Sequence, residues 1–219
     1  MTAPLIYPLG ESALVCESPP PATIECQARV LAVARQARDW PHVVDVVPGM
    51  NNLTVIFDPL QADVAQLHEA LALAWDRAAG ERRIEGRTVV VPVRYGGIDG
   101  PDLAVVAEHA GMSVEEVVSL HSRAEYTVFF VGFQPGFAYM GGLDARLHTP
   151  RRDNPRVKVP AGSVGIGGAQ TGVYPASSPG GWQLIGRTGE RLFDPSRESP
   201  TSLVPGDRVR FEPVGEIAC

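Results

Sequence analysis

The sequence predicts an α+β chain in two parts: a ferredoxin-like α/β sandwich over residues 1–83, followed by a β-barrel over residues 84–219. Three observations predict this division. Up to Gly80, β-branched runs alternate with stretches of helical period, and glycine is scarce. Beyond Gly86 the chain turns to short β-branched runs broken by Gly and Pro, the pattern of a barrel or sandwich. Between them, Gly80-Glu81-Arg82-Arg83-Ile84-Glu85-Gly86 is polar and flanked by glycine, as a linker is. A chain of 219 residues suits one large domain or two small ones.

In the first part, Ala13-Leu14-Val15 reads as a strand and Pro19-Pro20-Pro21 as a turn. A helix follows from about Thr23 to Arg38, where Ile24, Ala28, Leu31 and Ala34 recur at helical spacing. His42 to Val47 and Leu53 to Phe57 flank Pro48-Gly49-Met50-Asn51-Asn52, which predicts a hairpin. A second helix, about Leu60 to Ala78, aligns Val64, Leu67, Leu71, Ala74 and Trp75. The order strand–helix–strand–strand–helix is that of a ferredoxin-like sandwich. His42 and His68 are isolated and read as surface histidines.

The second part opens with a strand, Thr88 to Val93. Pro101 suits the first turn of a short helix that ends at Gly111. Ser113 and Glu116 form a capping box that starts the next. The remaining runs are Thr127–Phe133, Gly162–Ile166, Trp182–Arg187 and Asp207–Phe211, a barrel with two small helices inserted near its start.

Composition excludes several classes. No run approaches the roughly 20 apolar residues of a membrane helix, and Met1 to Ile6 lack the features of a signal peptide. Cys16, Cys26 and Cys219 form neither a disulfide framework nor a metal-ligand spacing, so a reducing cytoplasm is expected. Net charge is −6, −5 of it in residues 1–85 and −1 in 86–219, which argues against a nucleic-acid partner. Of nineteen basic residues only Lys158 is lysine, a bias that reads as genomic composition.

Four stretches carry candidate chemistry. Val131 to Gly142 interleaves Gly and Pro with aromatics, which fits either a ligand-facing loop walled by those aromatics or tight turns plugging a barrel end. Arg146 to Lys158 holds five cations and one anion in an otherwise acidic chain. Stiffened by Pro150 and Pro155, it suits a carboxylate or phosphate clamp built on Arg151, Arg152 and Arg156, with His148 as a proton carrier; a solvated turn is the alternative. Val159 to Tyr174 is glycine-rich without Gly-Lys-Ser/Thr, so it is no Walker loop. Its amides around Gly162 suit an anion nest, with Ser163 and Thr171 adding hydroxyls. The last stretch, Ser178 to Thr188, contributes Trp182, which reads as a stacking wall or as core. No metal-ligand set and no complete catalytic set is visible.

At these motifs the chain resembles a known family. Phe133-Gln134-Pro135-Gly136-Phe137-Ala138-Tyr139, Pro160 to Ile166, Gln170-Thr171-Gly172-Val173-Tyr174-Pro175, Ser178 to Trp182 and Gly186-Arg187-Thr188 are similar to the carboxyltransferase/allophanate hydrolase subunit 1 family, which also contains a histidine-kinase inhibitor. Pro48 to Asn52 and Val93 to Gly97 match as well. The resemblance implies that the barrel is cyclophilin-like. It implies an ATP-dependent 5-oxoprolinase that converts 5-oxo-L-proline to L-glutamate. This chain would act with a C subunit to phosphorylate the lactam before an A subunit opens the ring. ATP, with Mg2+ held by this chain or its partner, is the implied cofactor. Phosphorylating the lactam oxygen creates a leaving group that the amide lacks. On that reading His148 and Arg152 are candidate catalytic residues. Phe137, Tyr139, Arg151, Arg156, Gly162, Ser163, Gln170, Thr171 and Trp182 are candidate substrate contacts. A kinase inhibitor without substrate, and part of an allophanate hydrolase or carboxyltransferase, are the competing readings.

Overall fold

A computed structural model describes residues 3–81 and 84–217. Arg82 and Arg83 of the expected linker, and Cys219, lie outside the described residues. The chain divides into two compact units, Met1–Glu85 and Gly86–Cys219.

The first unit is a four-stranded antiparallel sheet carrying two helices. Its strands are β1 (Leu5–Pro8), β2 (Ala13–Glu17), β3 (Val43–Pro48) and β4 (Asn52–Phe57), in spatial order β1-β2-β4-β3; its helices are α1 (Ile24–Ala37) and α2 (Val64–Arg77). Alternation along β4 buries Leu53, Val55 and Phe57 in one cluster with Val30 and Val33 of α1 and Leu71 and Trp75 of α2. Thr23 Oγ1 caps α1 by accepting from the Cys26 N–H at 3.0 Å. The second helix starts four residues later than its periodicity predicts. Asp58 accepts from the Leu60 N–H, which holds a turn there, and Asp63 then caps the helix. Strand β1 has no signature in the sequence, because a four-residue edge strand with Leu5 63% exposed and Pro8 at its end shows no apolar pattern.

The second unit is a closed barrel. Its strands are β5 (Thr88–Tyr95), β6 (Tyr126–Val131), β7 (Ala138–Gly141), β9 (Ser163–Gly167), β10 (Gln170–Val173), β12 (Gln183–Arg187) and β13 (Arg208–Pro213), in the order β10-β7-β6-β13-β5-β12-β9, with β9 closing onto β10. The helices α3 (Leu103–Ala110) and α4 (Val114–Arg123) follow β5, and β8 (Arg156–Val159) pairs with β11 (Ser178–Gly180) as a separate ribbon. Gly111, at φ +64°, ends α3, and the Ser113–Glu116 capping box starts α4. Strands β7, β8, β10 and β11 are not predicted by the sequence pattern, being only three or four residues long. The run expected to continue to Phe133 stops at Val131. Among the described residues no helix is long and apolar enough to cross a membrane.

Two buried polar groups organise this unit. His121, fully buried, stacks on Phe211 at 4.7 Å and bridges two strands. Its Nδ1 lies 2.8 Å from the Tyr95 hydroxyl and its Nε2 2.9 Å from Thr171 Oγ1. Thr171 donates to the Gly165 carbonyl, so it must accept from His121; Nε2 carries the proton and Nδ1 accepts from Tyr95. Burial pushes the imidazole pKa from its usual 6.5 down to about 3.

The second group is Asp102. It sits at the N-terminus of α3, yet its carboxylate makes no capping bond. Instead Oδ1 accepts from Arg152 Nη1 at 3.1 Å and Arg156 Nη2 at 2.7 Å, while Oδ2 accepts from the Leu184 N–H at 2.7 Å. Helix α3, strand β12 and the segment leading into β8 are thereby tied to one carboxylate, itself 3% exposed.

Two outcomes follow. Between pH 6.5 and 3 the unfolded chain binds a proton at residue 121 that the folded chain excludes, so stability falls with falling pH across that window. The slope from this group is about 1.4 kcal/mol per pH unit. Urea melts of the native protein and of His121→Gln from pH 7 to pH 4 should differ by that slope, the variant being flatter. Asp102→Ala strands two guanidinium groups and an amide, and should cost about 3 kcal/mol in the same melts at pH 7.

Candidate functional site

The stretch that joins β6 to β7 is a double turn. Phe137 N–H donates to the Gln134 carbonyl at 3.0 Å, with Pro135 and then Gly136 (φ +81°) at the central positions, which is a type II turn. Gly132 N–H donates to the Phe137 carbonyl at 3.1 Å and closes the loop. The turn drives the Phe137 ring inward, where it is 1% exposed and meets Tyr139 (4.8 Å), Tyr174 (5.0 Å) and Trp182 (5.4 Å) edge-on. Such edge-to-face contacts fix ring orientation as well as burying area.

Trp182 is seated on bare backbone. A Cβ at Gly167 would lie 2.5 Å from the indole Nε1, and one at Gly172 would lie 3.1 Å from Cζ3. Glycines of β9 and β10 therefore make room for the indole. The amides of Gly162, Gly168 and the two strands are used within the barrel, which leaves few for an anion nest. Gly162 N–H donates to the Tyr174 carbonyl at 2.7 Å, and the strand amides serve the ladders to β7 and β12.

These rings line a cup of about 240 Å³ with Arg151 among its walls, the guanidinium 5.8 Å from the centre of the Trp182 ring. Arg151 is exposed and has no ion-pair partner among the described residues, whereas Arg152 and Arg156 are paired with Asp102. The cup therefore has one uncommitted cation beside aromatic walls, an arrangement suited to a small planar anion. Burial raises the phenol pKa of Tyr139 and Tyr174, and the Arg151 charge opposes that rise.

Of the residues expected at the site, Phe137, Tyr139, Arg151 and Trp182 come together in this cup. The others do not line it. Arg152 and Arg156 serve Asp102, and His148 Nε2 lies 3.2 Å from the Leu143 carbonyl. Gly162 and Ser163 are buried at the start of β9, and Thr171 is engaged with His121 inside the barrel. Gln170 opens β10 with its amide nitrogen buried and unpartnered. Phe133, from the aromatic stretch that composition flags, is a further wall of the cup, and Tyr174 is a wall that composition does not single out. Asp102 and Gln183 carry no such signal either. Gln183 Nε2 donates to the Pro150 carbonyl at 3.0 Å and anchors the chain beside Arg151.

The first unit has its own cleft, of about 320 Å³, lined in part by Cys26, Arg29 and Trp75. Its cation is already committed. The Arg29 guanidinium lies 4.3 Å from the Trp75 ring centre, and its Nε donates to the Trp75 carbonyl at 2.6 Å.

Comparison with known proteins gives consistent matches. The family model for the carboxyltransferase domain, subdomain C and D, matches residues 4–203. The chain is 53% identical over 213 residues to the 5-oxoprolinase B subunit of Escherichia coli O157:H7, covering 97% of each chain. It is 50% identical to the 5-oxoprolinase B subunit of Haemophilus influenzae, covering 94% of this chain and 96% of that one. The crystal structure of TTHA0988 superposes with a TM-score of 0.79 at 37% identity, over 93% of this chain and 40% of that longer one. With a match running through both units and the motifs that build the cup, the chain belongs to the family of the carboxyltransferase domain, subdomain C and D.

Proposed function

We propose that this chain is one component of an ATP-dependent 5-oxoprolinase, and that the aromatic cup is where 5-oxo-L-proline is held. One observation carries the assignment of the site: among the described residues Arg151 stands unpaired beside the Trp182 ring at a cup of about 240 Å³. The lactam is a flat five-membered ring bearing one carboxylate. Its ring fits between aromatic faces, and its carboxylate pairs with a guanidinium in a charge-assisted fork. High identity to two proteins named as 5-oxoprolinase B subunits supports the activity.

The chemistry explains why partners are needed. A lactam carbonyl is a poor electrophile, and transferring a phosphoryl group to its oxygen opens the way to ring hydrolysis. The cup supplies binding, orientation and exclusion of water from one ring face, which lowers the entropic part of the barrier. Among the described residues no group of three His, Cys, Asp or Glu side chains gathers to hold a metal ion. Magnesium-bound ATP would be seated in the complex with the C subunit, where it would supply the phosphoryl group. Phosphorylation is assigned to the complex with a C subunit, and ring opening to an A subunit. The first unit is ferredoxin-like with β1 taking the edge that a strand after α2 takes in that fold, and the barrel is cyclophilin-like. A reducing cytoplasm suits Cys16, whose thiol is buried and its pKa pushed up to about 12.

In the reconstituted three-component complex, Arg151→Ala should raise the KM for 5-oxo-L-proline about 10- to 100-fold, the loss of one charge-assisted pair, with a smaller change in kcat. Arg151→Lys should recover part of the loss. Steady-state glutamate release measures both, and an unchanged KM for Arg151→Ala would remove the cup as the substrate site.

A further inference from the structure

Phe133 is the one wall of the cup whose backbone is strained. Its φ is +67°, in the left-handed region that a bulky aromatic rarely occupies. Gln134 N–H donates to the Gly132 carbonyl at 2.8 Å, so Phe133 is the centre of a γ-turn of the rarer, strained hand. Gly or Asn would hold this turn with less strain. Burial of the side chain does not explain the choice of Phe, because the residue is 61% exposed. Its contacts are edge-on to Phe137 (5.5 Å) and Tyr174 (6.4 Å), both walls of the same cup. The loop is otherwise well determined by the type II turn and by Gln134 Nε2 reaching the Ala176 carbonyl at 3.4 Å. A surrounding structure that over-determines a strained residue is the condition under which strain persists at functional sites.

We infer that Phe133 is a ligand-contacting, specificity-determining residue: the strained turn holds its ring at the cup so that a bound ring system covers the face now in solvent. This rests on the cup being the 5-oxo-L-proline site. The ring's contribution is apolar and shape-selective, and it complements the charge of Arg151. Flat cyclic amides are favoured over open-chain acids of similar charge, because only a flat ring presents a face to Phe133.

The test uses Phe133→Asn, which relieves the backbone while removing the ring, and Phe133→Tyr, which keeps the ring, each in the three-component complex. Phe133→Asn should melt at a temperature no lower than the native chain and up to about 4 °C higher. Its KM for 5-oxo-L-proline should rise about tenfold, and Phe133→Tyr should recover most of that loss. If KM is unchanged in Phe133→Asn while Arg151→Ala raises it, the cup is the site and Phe133 does not touch the ligand. If neither variant moves KM, the cup itself is not the substrate site. A melting temperature several degrees lower would make the ring a packing residue. Failure of Phe133→Asn to co-elute with the partner chains would make it a docking residue. Each of these four results overturns the inference.

Discussion

The Asp102 carboxylate is the contact on which the geometry of the cup depends. A carboxylate that is 3% exposed cannot stay charged and unpaired, so it draws in two guanidinium groups and the Leu184 amide. Those partners come from the segment leading into β8 and from β12, and Asp102 itself from the start of α3. The satisfied acid thus determines the path of the chain through residues 152–156. Gln183 holds the preceding Pro150 carbonyl. Arg151 lies between these two anchors and is left to face the rings. Three arginines close in sequence consequently have two different jobs, and burial of their partner separates them.

The same division of labour governs the glycine-rich strands. Gly167 and Gly172 have ordinary strand backbones; what matters is the missing side chain, which lets the Trp182 indole lie close against β9 and β10. Phe137 is driven inward by a turn in which Pro and Gly are needed for their backbone angles. One motif therefore uses glycine for space and the other uses it for conformation. Both bring an aromatic ring to the cup.

Much of the architecture is legible in the amino acids, and the departures have physical causes. The helices α1, α3 and α4 announce themselves by period, by Pro101 and Gly111, and by the Ser113–Glu116 box. The long strands β4 and β5 read clearly because alternating or β-branched residues persist for six and eight positions. Strands of three or four residues carry too few side chains to show a period, and Leu60 looks helical only because the competing Asp58 side chain is invisible to hydropathy. At the site, the aromatics of Val131 to Gly142, Arg151 and Trp182 stand out by composition. Arg152 and Arg156 look equivalent to Arg151 because their partner is about fifty residues away. Asp102 is hidden by its position, since an acid after proline at a helix start reads as a cap. His121 is hidden because it belongs to no motif and its partners, Tyr95 and Thr171, are 26 and 50 residues away. The glycine-rich stretch suggests an anion nest because its true partner, Trp182, lies beyond the hairpin it forms.

The seam of the barrel also bears on how the polypeptide reaches its native state. Strand β13 lies between β5 and β6, parallel to β5 in a register that sets Val91 beside Phe211 and Val93 beside Pro213. The edges of β5 and β6 that flank this gap have no neighbour until a segment more than a hundred residues downstream of β5 leaves the ribosome. Closing so long a loop is slow, and the open edges are templates for wrong pairing in the meantime. The first unit's most distant pairing, Ala13 with Ile56, lies wholly within the N-terminal part of the chain, so that unit can fold while the rest is being made. Synthesis therefore leaves the second unit open for longer than the first, a window of aggregation that ends when β13 docks.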